Sequence, residues 1–175
     1  MQTGKLQAGS SFPEISVPLV TGGRAELHET TGEDRWKLVV VYRGLHCPIC
    51  ARYLETLEGL IEELSELQTD VIAVSGDGLE KVKQQVERGS LTFPVGYDLS
   101  INDMKKLGLY ISNPRSEKET DRPFPEPGLF VIRPDKTVQI LDISNAPFSR
   151  PDLKAIVNGL RFVQGNDYPI RGTLE

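Results

Sequence analysis

The chain is expected to fold as an α/β protein, a mixed sheet with helices on both faces. Three observations carry this. Val-rich runs are apolar at consecutive positions, stripes of helical period alternate with them, and a βαβ order closes on an antiparallel hairpin and a last helix.

The elements follow in order. Residues 15–20 and 24–28 flank Thr21-Gly22-Gly23, a turn signal, and form an N-terminal β-hairpin. Residues 37–42 are a Val-rich strand of the kind buried on both faces. A long helix is predicted from Pro48 to about Gln68. Its positions Cys50, Tyr53, Leu54, Leu57, Leu60, Ile61, Leu64 and Leu67 step by three and four, and its glutamates lie largely off that stripe on a solvated face. Residues 71–74 make a second buried strand, ended by Ser75-Gly76-Asp77-Gly78. A helix over 79–88 stops at Gly89, a short strand covers 93–97, and a short helix covers 101–107. Residues 129–132 and 138–142 flank Pro134-Asp135-Lys136 as a hairpin. The last helix, 151–163, takes its N-cap near Ser149 and buries Leu153, Ile156, Val157 and Leu160. Residues 108–127 fit no element. They are polar, hold four prolines and lack periodicity, which marks a functional or mobile stretch.

Composition narrows the function classes. A length of 175 residues fits one domain, taken as 1–175, and 38% apolar with 26% charged residues is a soluble globular mixture. A net charge of −5 argues against a nucleic-acid binder. The longest apolar run, 38–42, is too short to span a bilayer, and residues 1–10 lack the apolar stretch of a secretory signal. A cytoplasmic location is expected.

The two cysteines, Cys47 and Cys50, sit three positions apart where a buried strand hands over to a helix. With Cys47 at the N-cap, Pro48 occupies N1, where its missing N–H costs nothing. The sulfur of Cys47 then faces the N–H groups of Ile49 and Cys50. The helix dipole contributes about 0.3–1 kcal/mol, against about 1.4 kcal/mol for one pKa unit. Local donors must therefore supply most of any thiolate stabilisation, with help from Arg43 or a protonated His46. N-cap and N3 thiols are close enough to form a disulfide. The reading is a redox pair: Cys47 the exposed nucleophile, Cys50 the buried resolving thiol. Two inert buried thiols are the alternative. His46 is equally readable as an exposed ring, and Arg43 as a solvated strand end. Zinc is not expected, since His28 and His46 do not complete a ligand set. No metal and no cofactor is called for.

The run Val39-Val40-Val41-Tyr42-Arg43-Gly44-Leu45-His46-Cys47-Pro48-Ile49-Cys50 carries a resemblance, with Val71-Ile72-Ala73-Val74-Ser75, Pro127-Gly128-Leu129-Phe130-Val131-Ile132 and the opening Ala8-Gly9-Ser10-Ser11-Phe12-Pro13. Over residues 8–163 the chain resembles the thioredoxin fold, and within it the peroxiredoxin-like (AhpC/TSA-like) branch. The resemblance implies a thioredoxin-like mixed sheet with the hairpin as an N-terminal extension. It also implies a cis-proline at Pro127, with the backbone of Glu126 aimed at an extended substrate; a trans bond closing a Pro-rich loop is the alternative. Glu126, Pro127, Arg43 and His46 are the expected substrate-binding residues. The chain departs from the peroxidases of that branch. They carry proline seven residues, and threonine or serine three residues, before the reactive cysteine, where Val40 and Gly44 stand here. Their arginine falls at Pro127, leaving Arg43 or Arg122 as substitutes. The buried aspartate of thioredoxin falls at Val41. The expected activity is thus thiol–disulfide oxidoreduction of the peroxiredoxin-like antioxidant type, on a protein or small-molecule disulfide. A thiol peroxidase that reduces hydroperoxides through a Cys47 sulfenic acid is the second reading. A non-catalytic interaction module is the third. The hairpin edge offers a face for a homodimer.

Overall fold

The computed structural model describes residues 5–175; the first four residues of the stretch read above for a signal lie outside the described residues. The chain opens on a hairpin, β1 (Ser16–Pro18) and β2 (Arg24–Glu26), with Val17 opposite Ala25. Then come β3 (Trp36–Val41), α1 (Pro48–Glu58), α2 (Ile61–Glu66), β4 (Thr69–Val74), α3 (Leu79–Gly89) and β5 (Val95–Gly96). The second half holds α4 (Ile101–Lys106), β6 (Ile111–Ser112), β7 (Phe124–Pro125), β8 (Gly128–Ile132), β9 (Val138–Ile143) and α5 (Leu153–Gly165).

Five strands form one sheet in the order β5-β4-β3-β8-β9. β4 runs parallel to β3 and β5, while β8 is antiparallel to β3 and β9, so the sheet is mixed as expected. Alternation along β3 divides the core. Leu38, Val40 and Tyr42 face α1, α2, α3 and α5 through Leu54, Leu57, Leu64, Val82, Val157 and Leu160. Val39 and Val41 face the opposite side, against the hairpin residues Ile15 and Val17 and against Met104 of α4. Both faces are covered, which is why this strand tolerates no polar position after Lys37.

Four local expectations change. The predicted long helix breaks into α1 and α2. Gly59 caps the first piece, and Leu60 N–H turns back to the Leu57 carbonyl at 2.9 Å. Glycine is the weakest ordinary helix former, yet the apolar stripe runs on across the break, so periodicity alone hides it. The N-cap of α5 is Asp152, which accepts from Ala155 N–H at 2.9 Å, rather than a residue near Ser149. Residues 108–127 are not structureless: β6 and β7 pair antiparallel, Ile111 opposite Pro125. Among the described residues no peptide bond is cis, so the bond from Glu126 to Pro127 is trans.

Candidate active site

β3 delivers Tyr42 and then Arg43 to the end of the sheet, and the chain crosses residues 43–46 before entering α1. Gly44 allows the crossing. Its φ of +146° lies where side chains strain the backbone, and a Cβ there would meet Asp77 Oδ2 at 2.8 Å. Asp77, just beyond β4, is buried and accepts the Leu45 N–H at 2.8 Å. The loop before the first cysteine is thus braced from the neighbouring parallel strand.

Cys47 is the N-cap of α1 and Pro48 is its first residue, as the spacing predicts. The Cys50 N–H donates to Cys47 Sγ at 3.3 Å, and both thiols are free. The sulfur of Cys47 is stabilised as an anion chiefly by the Cys50 thiol. The Cys50 backbone N–H and the Arg43 guanidinium add to this against the cost of burial, and the pKa falls to about 6. Cys50 moves the opposite way. Its hydrogen bond to the Cys47 anion and its own burial push its pKa up. One element of the expectation is corrected: Cys47 is not exposed but 2% accessible. It lies at the floor of a cavity of about 980 Å³, which it lines with Arg43, His46, Ile49, Thr120 and Pro147.

Arg43 is not a solvated strand end. Its Nε lies 2.9 Å from Glu126 Oε2, and its guanidinium stacks 4.9 Å from the Phe124 ring centre. Glu126 is buried, and Ser112 Oγ donates to its Oε1 at 2.7 Å. His46 packs edge-on against the same Phe124 at 4.6 Å, and its pKa is lowered by burial and then by Arg43. A neutral ring follows, so the cation beside Cys47 is Arg43, not His46. Arg122 points elsewhere, to the Gly76 carbonyl and Asp98.

The structure therefore gathers Cys47, Cys50, Arg43, His46 and Glu126. It does not bring Pro127 to the Cys47 cavity. Pro127 lines a smaller pocket with Tyr53 and Arg150, and its carbonyl accepts from Ser144 N–H at 3.1 Å. The Glu126 N–H is likewise taken by the Tyr110 carbonyl at 2.8 Å. The β6–β7 pair already occupies the edge predicted for an extended substrate.

Sequence reasoning missed Asp77, Phe124 and Arg150. Asp77 had a usable signal, since residues just past the ends of adjacent parallel strands converge on one site. Arg150 had none. It donates from Nη2 to Cys50 Sγ at 3.0 Å across a hundred positions of chain. Among the described residues no group of three His, Cys, Asp or Glu side chains is placed to hold a metal ion. No described helix is long and apolar enough to cross a membrane.

The family model described as the AhpC/TSA family matches residues 8–140, which include Arg43, His46, Cys47, Cys50 and Glu126 but neither Pro147 nor Arg150. The chain belongs to the AhpC/TSA family. Membership makes it a peroxiredoxin-like oxidoreductase of the antioxidant type. No curated protein matches the chain. Among solved structures, a mutant of the peroxiredoxin 6 of Arenicola marina shares 18% identity. The match covers 91% of this chain and 74% of that one, with a TM-score of 0.77. The peroxidoxin BcpB of Mycobacterium tuberculosis is 18% identical over 90% of this chain and 98% of its own, with a TM-score of 0.74. A peroxiredoxin-like protein of Aquifex aeolicus, also 18% identical, covers 91% of this chain and 89% of its own, with a TM-score of 0.76. These likenesses fix the AhpC/TSA member as a thioredoxin-fold protein.

Proposed function

We propose that this AhpC/TSA protein is a thiol–disulfide oxidoreductase whose two thiols act in sequence. The carrying observation is the split between the cysteines: one sulfur held as an anion at the N-cap, the other held protonated one turn on. The Cys47 thiolate attacks a substrate disulfide, forms a mixed disulfide and expels one thiolate. The Cys50 sulfur then attacks Cys47, closes an internal disulfide and expels the second thiolate. The substrate is thereby reduced by two electrons and the protein oxidised by two. Arg43 fixes the charge on Cys47, Glu126 orients Arg43, and His46 walls the cavity. Gly44 supports a disulfide over a peroxide as substrate, because the position three residues before Cys47 carries no hydroxyl and a Cβ there would meet Asp77 Oδ2 at 2.8 Å.

A second reading is favoured by one observation. Arg43 sits against a sulfur only 2% accessible, an arrangement open to a small hydroperoxide, which would leave Cys47 as a sulfenic acid for Cys50 to condense with.

The test gives glutathione disulfide and hydrogen peroxide separately to the reduced protein. Disulfide turnover is expected, lost in Cys47→Ser and arrested as a mixed disulfide in Cys50→Ser. Full disulfide turnover in Cys47→Ser would falsify the first reading, and fast peroxide consumption with loss of the Cys47 thiol would install the second.

A further inference from the structure

Resting on that two-thiol reading, we propose that Arg150 is the catalytic group that activates Cys50 for the second, ring-closing step. Cys50 is 0% accessible, so water cannot help to ionise it. One full cation reaches it: Arg150 Nη2, 3.0 Å from Sγ. The guanidinium is held in place by stacking 4.6 Å from the Tyr53 ring centre, and Tyr53 Oη donates to the Pro151 carbonyl at 2.7 Å, pinning the adjacent backbone. Among the described residues Arg150 forms no ion pair, and its buried Nε and Nη1 meet no acceptor. Its charge is therefore not spent on a carboxylate. The groups that face Cys50 are Cys47 from the N-cap, Tyr42 from the end of β3 and Arg150 from the segment before α5. Tyr53 of α1 and Asp142 of β9 face Arg150, lining the small pocket with it.

The arrangement changes state with the chemistry. While Cys47 is an anion, it accepts the Cys50 S–H and keeps that proton in place. Once Cys47 is bonded to substrate sulfur, its charge is gone and the acceptor with it. Arg150 remains, so the same buried thiol now favours ionisation. Its proton passes to the thiolate released in the first step or to solvent. The new thiolate bonds to Cys47 Sγ, and the bond from Cys47 to substrate sulfur breaks with release of the second thiolate. Arg150 thus makes the second thiol reactive only after the first has reacted.

Ellman's reagent, a small aromatic disulfide whose released thiolate is coloured, separates the two steps. The first equivalent released reports Cys47, and the second reports closure by Cys50. An opposite charge at this range lowers a thiol pKa by about 1–3 units, and the accompanying loss of nucleophilicity offsets roughly half of that gain. Arg150→Met is therefore expected to slow the second release about threefold to thirtyfold at neutral pH, and to move its pH midpoint upward. Arg150→Lys, which keeps the charge, should recover part of the rate. A second release with the wild-type rate and pH midpoint in Arg150→Met overturns the inference while leaving the two-thiol reading intact. Absence of any first release from wild-type Cys47 overturns that reading, and the inference with it. Should Arg150→Met fail to fold by circular dichroism, Arg150→Gln takes its place with the same two outcomes.

Discussion

At the N-cap of α1 one sulfur is anionic near neutral pH because three donors converge on it, not because of the helix dipole. The rate of Cys47 alkylation by iodoacetamide should therefore be flat above about pH 6 and fall about tenfold per unit below it. The same pair couples to stability. Cys47 has a folded pKa of about 6 against an ordinary value of 9.0, so the unfolded chain binds more protons between those limits. Its stabilising contribution is absent below about pH 6, grows as pH rises and is complete near pH 9. Urea midpoints of the reduced protein should rise across that window, and the rise should vanish in Cys47→Ser. Gly44 supplies a third check. Gly44→Thr adds backbone strain and a collision with Asp77, together about 2–5 kcal/mol of stability, readable as a lower urea midpoint. At this scale the sequence was legible where chemistry is local. The N-cap, Pro48 at N1 and the Cys50 donor all follow from four consecutive residues. The state of His46 was not legible, since its neutrality comes from Phe124 and Arg43 packed around it.

Among the elements, α1 matters most, because it holds both thiols at its first turn and buries Leu54 and Leu57 behind them. Leu54→Ala should cost about 2–5 kcal/mol, measured by denaturant unfolding, because the fully buried site cannot collapse around the cavity. Strands and helices of the βαβ unit were legible because their apolar periods are dictated by the faces they bury. The β6–β7 pair was not. Two-residue strands carry no period, and Pro123 and Pro125 disguise a segment whose pairing is fixed by the Glu126 N–H donating to the Tyr110 carbonyl beside it. The break at Gly59 escaped for the converse reason, a stripe that continues through a kink.

Across the molecule, charge is unevenly spread. The chain carries −5 overall, yet five basic side chains against three acidic ones line the cavity above Cys47. Anionic disulfides should thus react faster than cationic ones: glutathione disulfide ahead of cystamine at low salt, with the gap closing as ionic strength rises. Stopped-flow rates at two salt concentrations check this. Nothing in the linear chain announces that mouth, because Arg88 of α3 reaches it from one segment, and Arg115 and Lys118 from another, between β6 and β7. The same non-locality has a consequence during synthesis. β3 takes one of its two partners, β8, from the far half of the chain, and Cys50 meets Arg150 a hundred positions downstream. At about 5–20 residues per second, a ribosome needs roughly 5–20 s to add that stretch. For that interval the nascent chain carries both thiols without the cation that faces the second of them in the folded protein.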